Sequence, residues 1–145
     1  MKRTLRWFFS VVIMLAVAVP AFSAQGVSSK SNKSTVFSYL TEEIGFNTAA
    51  ACGIMANMEH ESGFNPSRVM YDSNGLLSGG LCMWNGGRFS SLQRFCNNNG
   101  YNYLSIPGQL RYLEHELKSG YFKHIYNYLK KVPNTSSGAY DAAYY

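Results

Sequence analysis

Apolar residues recur at intervals of three and four through most of the chain after residue 34, which is the pattern of amphipathic helices packed on one core. Suitable caps and stops flank these stretches, with Asn47 and Ser105 at starts and Gly45 and Gly63 at ends. The pattern predicts helices from Ser34 to about Ile44, Thr48 to about Glu61, Phe89 to Cys96, Ser105 to about Gly120 and Phe122 to Leu129, and the start of a sixth at Asp141. We therefore expect a mainly α fold.

The stretch from Pro66 to Gly87 has a different character, because it is rich in Gly, Ser and Asn and shows no helical period. It predicts turns with a small hairpin between Leu76 and Trp84. Long loops in compact domains are usually functional or disordered, and the aromatic and apolar side chains within this one argue against disorder. We expect it to line a binding cleft.

The first 24 residues have the layout of a secretory signal peptide, namely a basic start, an apolar run from Trp7 to Val19 and a small-residue segment ending at Ala24. We expect cleavage after Ser23 or Ala24 and a secreted or extracytoplasmic protein; the alternative is an uncleaved anchor. Residues 25 to 34 are polar and predict a flexible lead-in. The folded domain is then expected over residues 35 to 145.

The whole chain carries a net charge of +5, but three of its 13 Lys and Arg residues lie in the leader. Without the leader, ten basic and eight acidic residues remain, which gives +2. This weak charge predicts no nucleic-acid binding, and it suits an anionic cell-wall polymer as a partner. Export permits disulfides, and the sequence does not choose among the three pairings of Cys52, Cys82 and Cys96.

Glu61 is the most unusual carboxylate, because it falls on the same helical stripe as Ala51, Ile54, Asn57 and Met58. Burial and the negative end of the helix dipole would both disfavour its charged form. A carboxyl group that stays protonated near neutral pH can serve as a general acid on a glycosidic oxygen. The alternative interpretation is a surface Glu at a frayed helix end.

The segment ESGFNP, followed about twenty residues later by GGLCMWNGGR, resembles the tail-lysozyme domains of bacteriophages, which are related to lytic transglycosylases and goose-type lysozymes. The first motif is matched at Gly53, Asn57, Glu61, Ser62, Gly63, Phe64, Asn65 and Pro66. The resemblance covers residues 36 to 145 and implies a lysozyme-like helical domain that acts on peptidoglycan. It also implies that Glu61 is the general acid.

Two positions depart from the family pattern. Met83 stands between Cys82 and Trp84 where the family usually has glutamine, and a thioether offers no useful hydrogen bond in place of an amide. Family members also continue past the position of Tyr145 through another helix, so the last helix of the family is expected to be missing.

A two-carboxylate hydrolase needs a partner for Glu61, and Asp72 is the candidate, although a turn-forming role before Ser73 is the stronger interpretation. Without a partner, Glu61 would act first as acid and then as base. The candidate substrate-binding residues offer amide, aromatic or cationic groups, with Met83 at the glutamine position: they are Asn57, Tyr71, Met83, Trp84, Arg88, Tyr101 and Tyr103. We expect no cofactor or metal, no membrane partner beyond the leader, and a monomer.

Two rival chemistries and one rival function remain open. Cys82 with His60, His115 or His124 would supply the groups of a thiol peptidase, although nothing in the sequence fixes their geometry. A zinc site is less well supported, because His60 and Glu61 lack a second His at helical spacing. The remaining alternative is a peptidoglycan-binding module of the same fold with weakened catalysis.

Overall fold

The computed structural model describes residues 29 to 145, so the predicted signal peptide lies outside the described residues. Six α-helices form most of this part of the chain, which confirms the mainly α prediction. They are α1 (Ser29–Ser38), α2 (Thr48–Ser62), α3 (Gly87–Asn98), α4 (Ile106–Lys118), α5 (Lys123–Leu129) and α6 (Ser136–Tyr144). A π-helical turn, Tyr39–Glu43, follows α1, and a 3₁₀ turn, Gly120–Phe122, precedes α5.

The predicted caps of α2 and α4 are present. The side chain of Asn47 accepts a hydrogen bond from the amide of Ala50 at 2.9 Å, and that of Ser105 accepts from Gly108 at 3.3 Å. These bonds satisfy amides that have no partner within the helix. Gly63 ends α2 in the left-handed conformation with φ 62°.

Helix α1 begins at Ser29, so the prediction of a helix start at Ser34 was wrong. Contacts with the end of α2 hold this polar segment, because Asn32 donates to the Phe64 carbonyl at 2.9 Å and Lys33 forms an ion pair with Glu59. The predicted lead-in is therefore helical over its described part, residues 29 to 34. Periodicity missed the start of this helix, because its residues before Ser34 are polar and give no apolar stripe.

Helix α6 also starts earlier than expected, at Ser136 rather than Asp141. Thr135 caps it by accepting a hydrogen bond from the Gly138 amide at 3.1 Å. Ser and Gly have low helix propensity, so the cap and tertiary packing decide the conformation of this first turn.

The Gly-rich stretch forms a three-stranded antiparallel sheet in the order β1-β2-β3: Val69–Tyr71, Leu77–Gly79 and Trp84–Asn85. Tyr71 pairs with Leu77, and Gly79 pairs with both Val69 and Trp84. The predicted hairpin is confirmed as β2 and β3, and the sheet gains β1, which the sequence did not indicate.

The core lies between the helices and the inner face of this sheet. Its most fully buried large side chains are Trp84, Phe64, Leu40, Met58, Leu81, Leu92 and Leu110. Helices α2 and α6 cross closely at Gly53, where an added Cβ would lie 2.6 Å from the Cβ of Ala142.

Among residues 29 to 145, no helix has both the length and the apolar character needed to span a bilayer.

Candidate active site

Glu61 lies in the last turn of α2 and is exposed at the edge of a cavity of about 250 Å³. The prediction of a buried carboxylate was therefore wrong. The helical stripe was identified correctly, since Ile54, Asn57, Met58 and Glu61 all line this cavity. The stripe faces open space at its C-terminal end, so Glu61 is accessible to a ligand.

The walls of the Glu61 cavity are mainly apolar and come from α2, α4, α5, α6 and the turn before β3. They are formed by Leu113, Leu117, Ile125, Leu129, Cys82, Ala142 and Tyr145, together with the α2 residues. Among these lining residues, Glu61 is the one acid. Apolar walls beside one carboxyl group are the usual composition of a small-ligand site.

The chain turns sharply just after Glu61 because two consecutive residues adopt left-handed conformations. Gly63 has φ 62° and Phe64 has φ 60°. A left-handed phenylalanine is strained, and its burial, with 1% of the residue exposed, supplies the compensating packing. The ESGFNP motif is therefore a helix stop with an aromatic anchor, which fixes where the helix presents Glu61.

Ser62 connects α2 to the turn that follows β2. Its hydroxyl is buried and lies 3.0 Å from the carbonyl oxygens of both Met58 and Leu81. Since Ser62 adjoins Glu61 and Leu81 adjoins Cys82, this contact brings the two motifs together at the cavity.

Gln109 holds the same turn from the opposite side, and sequence reasoning missed it. Its side chain is fully buried; the Oε1 atom accepts a hydrogen bond from the Leu81 amide at 2.8 Å. The Nε2 atom donates to the carbonyls of Pro66 and Tyr103, both at 2.7 Å. One amide therefore links Pro66 at the end of the first motif, Leu81 in the second motif and the loop before α4.

Glu116 is the buried acid of the domain, with 9% of the residue exposed. Arg88 makes a bidentate ion pair with it, Nε to Oε1 at 2.8 Å and Nη2 to Oε2 at 2.7 Å. Trp84 donates its indole N–H to the same carboxylate at 3.0 Å. This pairing raises the pKa of Arg88.

The structure changes the interpretation of Trp84 and Arg88 as substrate-binding residues. Trp84 is fully buried, so neither face of its ring is available to stack on a sugar. The Arg88 side chain is 48% exposed, and its Nε and Nη2 atoms both donate to Glu116. These contacts join β3 and the start of α3 to α4, and a substrate contact of Arg88 stays a prediction.

Cys82 lines the cavity beside Glu61 as a free thiol, and Cys52 and Cys96 are also free. Burial, reinforced by the charge of Glu116, raises the pKa of Cys82 to about 12. The nucleophile of a thiol peptidase is the thiolate, which is strongly disfavoured here. This argues against the cysteine-peptidase alternative.

Met83 is half-buried and has φ 41°, a left-handed backbone conformation that residues other than glycine rarely adopt. Its amide donates to the Gly80 carbonyl at 3.1 Å and closes the turn between β2 and β3. The residue at the family's glutamine position is therefore held by a tight backbone turn.

Asn57 is exposed on α2 and donates from Nδ2 to the Ala143 carbonyl at 3.0 Å. This bond attaches the end of α6 to α2 at the rim of the Glu61 cavity. The amide thus has a structural partner, and its predicted contact with sugar stays a prediction.

Asp72 belongs to the turn between β1 and β2. Its Oδ2 atom accepts hydrogen bonds from Ser78 Oγ at 2.8 Å and Asn85 Nδ2 at 2.9 Å, and its backbone amide donates to Leu76 at 2.9 Å. These contacts match the turn-forming interpretation. A catalytic function for Asp72 stays a prediction.

The three candidate tyrosines lie in different parts of the surface. Tyr71 is 73% exposed on the edge strand β1, whereas Tyr103 is half-buried with its ring edge-to-face with Phe89 at 6.2 Å. Tyr101 is 38% exposed and lines a different groove, described below. None of the three lines the Glu61 cavity.

The sequence of residues 31 to 145 matches the family model of phage tail lysozyme. The chain belongs to the phage tail lysozyme family. Membership points to a lysozyme-like function in cleaving peptidoglycan. No curated protein gives a significant match to the sequence.

The two buried polar residues that sequence reasoning missed, Gln109 and Glu116, lie seven positions apart in α4. That spacing puts them on one helical face, together with the buried Tyr112 and Leu113. Their positions in the sequence did indicate burial, because a polar side chain on an apolar helical face needs a hydrogen-bond partner. They were missed because neither residue belongs to the two motifs that include Glu61 and Trp84.

Residues 29 to 145 contain no cluster of His, Cys, Asp and Glu that would hold a metal ion.

Proposed function

We propose that this phage tail lysozyme homologue cleaves the bond between N-acetylmuramic acid and N-acetylglucosamine in bacterial peptidoglycan, with Glu61 as the general acid. The observation that carries the proposal is the position of Glu61, accessible at the edge of an apolar cavity and directly before the helix stop. Family membership supports the same substrate class.

In the proposed reaction, Glu61 gives its proton to the glycosidic oxygen as the C–O bond breaks, and the bonding electron pair stays with that oxygen. The carboxylate that results then takes a proton from the group that attacks the sugar cation. Water as the attacking group gives a muramidase product. A hydroxyl of the sugar itself gives an anhydro sugar, as in lytic transglycosylases.

The surroundings of Glu61 support its use as an acid. A sugar seated at the mouth of the cavity would displace water from the carboxyl group and place the reacting atoms beside the apolar walls. The carboxylate left by proton transfer would then stabilise the positive charge that develops on the sugar.

The test compares cell-wall clearance by the purified protein and by Glu61→Gln. We expect the variant to lose activity by about a thousandfold, since an amide cannot supply the proton. Glu59→Gln is the matched control, because Glu59 makes an exposed ion pair with Lys33 two residues before the site. Equal clearance by Glu61→Gln and the unmodified protein would reject Glu61 as the acid. Mass spectrometry of the released fragments separates hydrolysed from anhydro products.

A peptidoglycan-binding module with weakened catalysis is the second candidate, and Met83 at the family's glutamine position favours it. In that case neither the unmodified protein nor Glu61→Gln clears cell walls, while both sediment with them. Binding without clearance therefore distinguishes the two functions.

We also propose that the protein is exported and acts outside the cytoplasm after cleavage near Ser23 or Ala24. The charge and apolar pattern of residues 1 to 24 supports this. Amino-terminal sequencing of the protein recovered from an exporting host tests it, and an intact Met1 in the exported protein would reject cleavage.

A further inference from the structure

A second groove, of about 610 Å³, lies between the start of the domain and α4. Tyr39, Glu42, Glu43, Tyr101, Leu110 and Arg111 give it aromatic, anionic, apolar and cationic surfaces. It shares no lining residue with the Glu61 cavity. The proposed cleavage leaves these groups without a function.

The π-helical turn shapes one wall of this groove. Residues Tyr39–Glu43 continue α1 with a wider turn, closed by the Ile44 amide donating to the Tyr39 carbonyl at 3.1 Å. The turn places Tyr39, Glu42 and Glu43 along the groove. Single π-helical turns are uncommon in helices and are frequent at functional sites.

Arg111 is a positioned cation with unused donor capacity. Its guanidinium lies over the Tyr39 ring at 5.3 Å, and its side chain is 46% exposed. Its contacts with Glu114 and Glu43 are long, at 3.5 and 3.8 Å. Glu114 is instead bound closely by Tyr39 and Lys118, each at 2.6 Å. A guanidinium has five N–H donors, so Arg111 can still bind a carboxylate in a bidentate manner.

The anionic side of the groove consists of Glu42 and Glu43, both exposed. Among the described residues, Glu42 has no ion pair, and Glu43 has only the long contact with Arg111. The groove therefore presents one cation and two carboxylates with little mutual pairing, since the Arg111–Glu43 contact is 3.8 Å long, and it does so beside the exposed ring of Tyr101. An uncharged glycan would not match this charge pattern.

We propose that this groove binds the end of a short peptide that carries both a free carboxylate and an ammonium group. Arg111 binds the carboxylate, Glu42 and Glu43 bind the ammonium, and the rings of Tyr39 and Tyr101 pack against the aliphatic part. Resting on the proposed function, we assign the peptide to the stem of peptidoglycan. Arg88, whose Nε and Nη2 atoms donate to Glu116, does not line this groove.

The test titrates the purified protein with N-acetyl-Ala-Lys and follows backbone amide NMR shifts. Two matched probes each lack one charge: N-acetyl-Ala-Lys-amide has no carboxylate, and N-acetyl-Ala-norleucine has no ammonium. We expect saturable shifts at the groove with N-acetyl-Ala-Lys and about tenfold weaker binding of each matched probe. Equal affinities for the three probes, or no saturable shift at the groove, would overturn the proposal.

Arg111→Gln is expected to bind N-acetyl-Ala-Lys about tenfold more weakly and to lose the preference over the amide probe. A retained preference would contradict the assignment of Arg111.

Tyr101→Leu, at a partly exposed position, should weaken binding of all three probes equally, and unchanged binding would contradict the assignment of the groove as the binding site. Glu61→Gln separates the two proposals: it should bind N-acetyl-Ala-Lys normally while failing to clear cell walls. Probe binding by a protein that clears no walls would support the groove assignment and reject only the proposed cleavage.

Discussion

Arg88, at the start of α3, forms a bidentate ion pair with Glu116 in α4, with N–O distances of 2.8 and 2.7 Å. Because the same carboxylate accepts the Trp84 indole N–H, this pair fixes the strand that follows Met83. The carboxylate is nearly buried, so its hydrogen bonds compensate its desolvation.

We predict that Glu116→Gln lowers the free energy of unfolding by about 2 kcal/mol, because Arg88 and Trp84 lose their charged acceptor. The half-exposed guanidinium can still be solvated, which limits the loss. Urea unfolding measures the change. Glu59→Gln makes the same chemical change in an exposed ion pair and should cost less than about 1 kcal/mol. Equal losses in the two variants would show that the buried ion pair stabilises the protein no more than the exposed one.

Ser62→Ala should lower stability by about 1 kcal/mol, because the buried Leu81 carbonyl loses its hydroxyl partner. It should also reduce cell-wall clearance, since this contact sets the turn carrying Cys82 against Glu61. Ser90→Ala is the control, because Ser90 is exposed and its hydroxyl contacts only the carbonyl of Gly86, the residue before its own helix. Full clearance by Ser62→Ala would contradict the positioning effect.

Gly53→Ala should destabilise the packing of α6 on α2. The new Cβ would lie 2.7 Å from the Ala139 carbonyl oxygen and from the Ala143 amide nitrogen, so backbone must move. Overpacking costs about 1 to 3 kcal/mol, and the better helix propensity of Ala offsets about 1 kcal/mol of it. Hydrogen exchange should show α6 opening more often. Gly87→Ala is the control: a Cβ added there would meet no atom within 4 Å, so hydrogen exchange in α6 should stay unchanged. Unchanged exchange of α6 in Gly53→Ala would contradict the predicted clash.

The three thiols should differ in alkylation. Cys52 is exposed and should react first, whereas Cys82 should react slowly because its pKa is about 12. The thiolate forms as pH rises, so Cys82 labelling should accelerate about tenfold per pH unit between pH 7 and 10. Mass spectrometry after iodoacetamide treatment measures each site. Labelling of Cys82 as fast as that of Cys52 in the folded protein would contradict the prediction, and all three should react rapidly in urea.

The sequence predicted the helices whose apolar stripes pack on the core, and the caps at Asn47 and Ser105. It missed the early starts of α1 and α6, because their first turns are polar and are held by contacts such as that of Asn32 with the Phe64 carbonyl. Those contacts join residues far apart in the chain, and a local period carries no information about them.

The candidate site was predicted unevenly for a similar reason. The stripe containing Glu61 was recognised, but a helical period cannot distinguish a packed core from a cavity wall. Trp84 was predicted to bind substrate, whereas its ring is fully buried and its indole N–H donates to the buried Glu116. Only the fold brings these two residues together, across 32 positions of sequence.

Met83→Gln tests whether the missing amide limits the reaction. If the family's glutamine orients substrate or water, restoring it should raise the rate of cell-wall clearance on the order of tenfold, since one positioned hydrogen bond contributes at least that much. Met83→Leu is the matched control, because Leu has no hydrogen-bonding group. All three side chains experience the left-handed backbone at φ 41°, so strain does not separate them. Equal initial rates for Gln and Leu would show that the amide has no part in the reaction; a faster Gln variant alone assigns Met83 to the site.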